Sequence, residues 1–182
     1  MAKILDYTEA SIEEIAERLN RGEVGIFPCD TIYGICAKAS KESADRIYEI
    51  KERPQAKSFI ELMLKSDIIK LGLKVDQELL DLWPAPFTAI VENREGTTTA
   101  LRVPSDTFLQ KIILKTGPIY STSVNLSGQA SLLNFNDILP VFGDKVDFIV
   151  NHPSLIPGQS STLINAIEKP YKIIRQGAYK FS

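Results

Sequence analysis

Early in the chain, short apolar runs of strand length alternate with stretches whose apolar residues recur at helical spacing; late in the chain, strand-like runs follow one another directly. A chain ordered in this way has to lay its strands in a sheet and cover that sheet with the helices it has. The uneven alternation predicts an α/β fold with a mixed, twisted sheet rather than an all-parallel one.

Ile12, Ile15, Ala16 and Leu19 mark a helix at roughly 9–20, with Ser11-Ile12-Glu13-Glu14 as a capping box and Gly22 as its stop. Val24-Gly25-Ile26-Phe27 is a strand that stops at Pro28 and enters the loop Cys29 to Gly34. Ser40 caps a second helix carrying Ala44, Ile47, Tyr48 and Lys51 on one side, which must end near Pro54. A strand over 59–64, a helix capped by Asp76 and ending before Pro84-Ala85-Pro86, and strands over 87–91 and 98–103 follow. Ser105 begins a helix with Phe108, Leu109, Ile112 and Ile113 inward and Gly117 as stop. The remainder reads as a strand over 118–122, a short helix near 136–142, and strands near 147–150, 161–165 and 171–175.

Composition narrows the function. With 182 residues, 44% hydrophobic and 24% charged, the chain suffices for one core and is cramped for two. Net charge −2 and a pI near 5.5 supply no overall field towards nucleic acid or an anionic membrane, so phosphate recognition has to be local. No apolar run approaches the ~20 residues that span a bilayer, and the N-terminus lacks a signal-peptide pattern, so the expected location is cytoplasmic. Cys29 and Cys36 form no CxxC, and the single His152 has no imidazole partner; both cysteines read as small buried hydrophobes, with neither a disulfide framework nor a zinc site expected.

Walker, dinucleotide-binding, nucleophile-elbow and HExxH patterns are all missing from the sequence. What it carries is a set of polar, rigid turns, each ending an apolar element, which together suit one cleft. Lys51-Glu52-Arg53-Pro54, followed by Lys57, offers a point charge and a guanidinium fork that suit a triphosphate; the same cations also complement a helix C-terminus. Ser121 to Gly128 supplies hydroxyls and an amide for a nucleotide or carboxylate, and equally fits an ordinary hydroxyl-rich turn. Arg102, at the end of a buried strand, needs an anion, either a ligand or a protein carboxylate, and Arg175 carries the same ambiguity. Asp30, Thr31 and Tyr33 fit turn capping and packing, and Trp83 fits a core anchor.

The segments Pro28-Cys29-Asp30-Thr31-Ile32-Tyr33-Gly34, Lys51-Glu52-Arg53-Pro54, Trp83-Pro84-Ala85-Pro86-Phe87-Thr88, Leu101-Arg102-Val103-Pro104, Ser121 to Gly128, Ser161-Thr162-Leu163-Ile164 and Ile174-Arg175-Gln176-Gly177 resemble, in order, the signatures of the YrdC/TsaC threonylcarbamoyl-AMP synthases, over residues 12 to 178. Cys29 stands where the family usually has Thr, Ser58 for Pro, Ala85 for Gly, Val124 for Ala, and Leu132-Leu133 for a polar segment. The resemblance implies a YrdC-like open twisted mixed sheet with flanking helices and a large basic cleft. It implies one domain over 1–182, without the C-terminal domain of longer members.

It further implies formation of threonylcarbamoyl-AMP and pyrophosphate from L-threonine, bicarbonate or CO2 and ATP, with Mg2+ accompanying ATP. The product serves tRNA N6-threonylcarbamoyladenosine through downstream transferase proteins. By position, Lys51, Arg53 and Arg175 correspond to phosphate ligands, with Lys51 and Arg53 as the catalytic pair. Ser123, Asn125 and Thr98 correspond to nucleotide contacts, and Thr31, Arg102 and Ser161 to threonine contacts. Two other readings stay open: an RNA-binding module for tRNA or double-stranded RNA, and a paralogue making a different carbamoyl-adenylate.

Overall fold

Chain order gives β1 (Lys3–Asp6), α1 (Ser11–Asn20), β2 (Gly25–Pro28), β3 (Tyr33–Lys38), α2 (Lys41–Lys51), β4 (Ile60–Leu62), α3 (Lys65–Leu71), α4 (Gln77–Leu82), β5 (Phe87–Glu92), β6 (Thr98–Arg102), α5 (Thr107–Thr116), β7 (Ile119–Ser123), α6 (Phe135–Phe142), β8 (Phe148–Asn151), β9 (Thr162–Asn165) and β10 (Lys172–Arg175). The structure is a computed structural model describing residues 1–55, 59–155 and 158–181, so Lys57 and Ser58 lie outside the described residues. Among them the strands join in a 10-stranded sheet ordered β1-β8-β2-β3-β7-β4-β6-β5-β9-β10. Its pairings are mixed: β1 and β2 flank β8 in parallel, β4 runs parallel to β6 and β5 to β9, and the other neighbours are antiparallel. The expected α/β class with a mixed sheet is what the chain forms.

Apolar faces decide where the helices sit. On one face α1 and α5 bring Ile12, Ile15, Leu19, Leu109 and Ile112 against Phe27, Leu62, Ile119 and Phe148. On the other, α2 and α6 press Ile47, Ile138 and Phe142 onto Ile26, Ile35 and Ile149. At the far end Leu79 and Trp83 cover Phe87, Leu101 and Ile164. Trp83 is 1% exposed, stacks on Phe87 at 4.8 Å and donates its indole N–H to the Phe87 carbonyl at 3.2 Å, so it is a core anchor.

Three elements depart from the sequence reading. β3 was expected to be loop as far as Gly34; it is a central strand buried almost throughout, and such a strand shows no polar alternation. β1 pairs along one side only, and α3 is a short helix burying only Ile68, so both give weak periodic signals. Two helix starts also shift. Ser11 is not a cap, because Ala10 holds that position without a side-chain bond and the Ser11 hydroxyl lies 3.2 Å from that of Thr8. Asp106 rather than Ser105 caps α5, accepting from the Phe108 N–H at 2.8 Å, while the Ser105 N–H is held by the Asp30 carboxylate at 2.9 Å. Ser40 caps α2 as expected, accepting from the Ser43 N–H at 3.1 Å.

Candidate active site

Register builds the floor of the site. Ile60 pairs with both Ser121 and Ala100, and Ala100 pairs with Ile90, which sets Ser121, Ile60, Ala100 and Ile90 in one row across β7, β4, β6 and β5. Beyond them Leu163 pairs with Thr88 and with Arg175. Ser121, Ile60, Ala100, Ile90, Leu163 and Arg175 all line a cavity of about 390 Å³. Side chains two apart on a strand share a face, so Arg102 stands beside Ala100 and Ser123 beside Ser121 at the same cavity.

Thr31, Arg53, Arg102, Ser123, Ser161 and Arg175 therefore converge, although each belongs to a different segment of the sequence. The turn after β2 carries Asp30 at φ 70°, and its carboxylate grips Ser105, which fixes Thr31 beside β6. Arg102 is 3% exposed; it donates to the Thr31 hydroxyl at 3.1 Å and to the Cys29 carbonyl at 2.7 Å, and its Nε has no partner among the described residues. Burial pushes its guanidinium pKa down, against the pull of Cys29 and Asp30. No protein carboxylate bonds Arg102 among the described residues: its hydrogen-bond partners are a hydroxyl and a carbonyl, and the Asp30 carboxylate, near enough to pull on the guanidinium, accepts from the Ser105 N–H instead.

Arg175 reaches the cavity through a close backbone approach. A Cβ on Gly177 would meet the Ser160 carbonyl oxygen at 2.2 Å and the Ser161 carbonyl carbon at 2.6 Å, so only glycine lets this segment lie on 160–161. Arg175 then donates to the Ser161 carbonyl at 2.9 Å, and the buried Ser161 hydroxyl sits 2.8 Å from that of Thr88. Left-handed Glu52, at φ 52°, ends α2 and turns the chain. Arg53 then lies over Phe59 at 5.4 Å and donates to the Thr122 hydroxyl at 3.2 Å.

Three of the expected residues stand elsewhere. Lys51 is 2% exposed and donates to the Ser123 carbonyl and, at 2.9 Å, to the Asn125 side-chain oxygen, while its own carbonyl accepts the Ser127 N–H at 2.9 Å. Burial, reinforced by the positive charge of Arg53, pushes its pKa down from 10.5 to about 8. Asn125 accepts from the Ser123 hydroxyl at 2.6 Å and donates to the carbonyls of Leu126 and Gln129. Lys51 and Asn125 thus knit the 123–129 loop to the end of α2 behind the cavity wall. Thr98 is at the exposed start of β6 and does not line the cavity. Sequence reading has Cys29 only as a buried hydrophobe at a departure from the family pattern and Thr122 only as part of the 121–128 turn, and it does not reach the apolar floor. Ala100, two residues before Arg102, was traceable from strand alternation, whereas Ile90 and Leu163 depend on pairing between strands.

Chemically, the cavity gathers three guanidinium groups, several hydroxyls and an apolar floor, with no carboxylate among the described residues that line it. It suits an anion with a small carbon skeleton. No cluster of three or more His, Cys, Asp or Glu side chains that could cage a metal occurs among the described residues. No helix of the described residues is long and apolar enough to cross a membrane.

Human threonylcarbamoyl-AMP synthase is 31% identical over 195 aligned positions, covering 94% of this chain and 68% of the human protein. The Pyrococcus abyssi Sua5 structure in complex with L-threonine matches with a TM-score of 0.84 at 25% identity, over 97% of this chain and 57% of that one. Escherichia coli YciO matches in fold with a TM-score of 0.84 at 22% identity, over 99% and 98% of the two chains. The chain thus spans little more than half of the archaeal protein and nearly all of the bacterial one. The Sua5/YciO/YrdC family model, described as telomere recombination, matches residues 17–177, and on that match this chain belongs to the Sua5/YciO/YrdC family.

Proposed function

We propose that this chain forms threonylcarbamoyl-AMP and pyrophosphate from L-threonine, bicarbonate or CO2 and ATP, acting as a nucleotidyltransferase. The observation that carries this reading is Arg102, a buried guanidinium with no carboxylate among its hydrogen-bond partners in the described residues, at a cavity shared with Arg53 and Arg175. The synthase names of relatives and the threonine bound to the archaeal protein support it.

In this reading Arg102, Thr31 and Ser161 hold threonine, the guanidinium taking its carboxylate. The threonine amine adds to CO2, giving an N-carboxylate. One of its oxygens attacks the α-phosphorus of ATP, and the bond to the β-phosphate oxygen breaks, releasing pyrophosphate. Nucleophile and target are both anionic, so Arg53 and Arg175 act by offsetting repulsion and fixing the approach, with no covalent enzyme intermediate. Ser123 is the nucleotide contact at the cavity; Thr98, outside it at the exposed start of β6, would touch only a part of the nucleotide that extends past Ala100. Lys51 acts through Ser123 and Asn125, which it holds in place. No group of three or more His, Cys, Asp or Glu side chains that could cage a metal occurs among the described residues, and Mg2+ would enter with ATP as part of the substrate, supplying charge neutralisation. The product passes to a cytoplasmic transferase that modifies tRNA.

The test is pyrophosphate release with single components omitted, with the adenylate identified by mass. Release is expected only when threonine and bicarbonate are both present; equal release without either one refutes the mechanism. Release with another amino acid in place of threonine would mark a different carbamoyl-adenylate. Salt-dependent RNA binding with no release would favour a binding module.

A further inference from the structure

The cavity wall contains a reactive pair that the synthase reading leaves unused. Cys29, in the turn after β2, lines the cavity, and Cys36, in the middle of β3, lies behind it. Their sulfurs are 3.3 Å apart. They meet over Gly34, where a Cβ would lie 2.8 Å from the Cys29 sulfur and 3.3 Å from that of Cys36, so the absence of a side chain there creates the space they share. Disulfide formation needs the sulfurs to close by about 1.3 Å, to a bond of about 2.0 Å. The Cys29 carbonyl is also an anchor of the Arg102 guanidinium at 2.7 Å, and Thr31 follows two residues later.

We propose that Cys29 and Cys36 are an oxidative modification site, a dithiol that a hydroperoxide entering the cavity converts reversibly to a disulfide, displacing the Arg102 anchor and closing the site to its ligand. The Cys29 sulfur attacks one peroxide oxygen; the O–O bond breaks, and the departing hydroxide takes up a proton as water, leaving a sulfenic acid on Cys29. The Cys36 sulfur attacks that sulfur; the S–S bond forms, the S–OH bond breaks, and the second oxygen leaves as water with the Cys36 proton. Two thiols lose two electrons and two protons, and hydrogen peroxide becomes two waters. The order follows from the surroundings. Cys29 lines the cavity that the peroxide enters and Cys36 does not; hydrogen bonds from Cys36 and then from Ser121, with the Arg102 charge, favour the Cys29 thiolate against its burial, whereas burial holds the Cys36 thiol protonated.

The ligand consequence rests on the threonine reading, so the test separates the two. Folded protein is treated with hydrogen peroxide, quenched, alkylated under denaturing conditions and digested with trypsin, which places both cysteines in the peptide 22–38. Expected is loss of two hydrogens with neither thiol alkylated, restored to double alkylation by dithiothreitol. In parallel, calorimetry should show L-threonine affinity falling by roughly ten- to a hundredfold, the scale of one lost charge-assisted hydrogen bond, and recovering on reduction. Cys36→Ala should fold, as melting shows, and give only Cys29 oxyacids under peroxide. Two alkylatable thiols after oxidation, oxyacids in place of the disulfide in the wild type, or a disulfide with unchanged threonine affinity overturn the proposal. A reduced protein that never binds threonine counts against the substrate reading, and the thiol chemistry is then decided by the peptide masses.

Discussion

Arg102 and Lys51 show how differently two buried cations can be held. Arg102 keeps its charge against a hydroxyl and a carbonyl, a state that an anionic ligand completes. Arg102→Lys should weaken threonine binding by about 1–3 kcal/mol, because one point charge cannot make two parallel hydrogen bonds to a carboxylate. Calorimetric titration of threonine and of ATP, with melts alongside, is the check: threonine affinity drops, ATP affinity and melting stay near the parent values. Lys51 instead spends its protons on Ser123 and Asn125. Its pKa is near 10.5 when unfolded and about 8 when folded, so between those values the unfolded chain binds the extra proton. Unfolding free energy should therefore rise with pH across about 8 to 10.5 and by less in Lys51→Met. Urea titrations of both proteins at several pH values measure the difference; identical pH slopes would show that Lys51 is not desolvated.

At the scale of elements, strands and turns aim these side chains. β10 can bring Arg175 to the cavity only because Gly177 lets the following backbone lie on 160–161. Gly177→Ala should push that segment away, lower the melting temperature and weaken ATP binding together, whereas Arg175→Ala should weaken ATP binding with melting unchanged. At α5 the capping carboxylate of Asp106 also accepts the Tyr7 hydroxyl at 2.5 Å, tying the helix to the segment after β1. Asp106→Asn keeps a cap, and Asp106→Ala should cost about 0.5–2 kcal/mol in urea unfolding. Ser105, expected from its place before the periodic residues to begin the helix, is held through its backbone N–H by Asp30 instead, so a Ser105→Ala change should leave stability nearly unaltered.

Across the whole molecule, a net charge of −2 conceals a cavity with three arginines and no carboxylate among the described residues that line it. Such a site should bind inorganic pyrophosphate with an affinity that falls as salt rises, and the protein should melt higher in its presence. At a hundredfold excess over Kd the gain is about 2.7 kcal/mol. Arg53→Ala with Arg175→Ala should abolish the pyrophosphate shift while leaving a threonine shift, and thermal melts with each ligand distinguish the two halves of the site.

Local chemistry was legible without coordinates wherever it was written in adjacent residues. The helices built on Ile12, Ile47 and Phe108 announce themselves by periodicity, Ser40 by its cap, and the turns around Asp30, Arg53 and Arg102 by polar residues ending apolar runs. The family resemblance, carried by the order of those turns, supplied the residues to look for. What no local pattern contains is register. Only the pairing of Ile60 with both Ser121 and Ala100 makes a floor, and only the tertiary structure parts Lys51 from Arg53, sending one behind the wall and the other into the cavity. β3 went unread for the same reason: a strand buried between two neighbours has no polar face to alternate, and its place is set by the strands that flank it. Periodicity records which side of an element meets solvent, whereas a site assembled from distant segments is decided by which elements become neighbours.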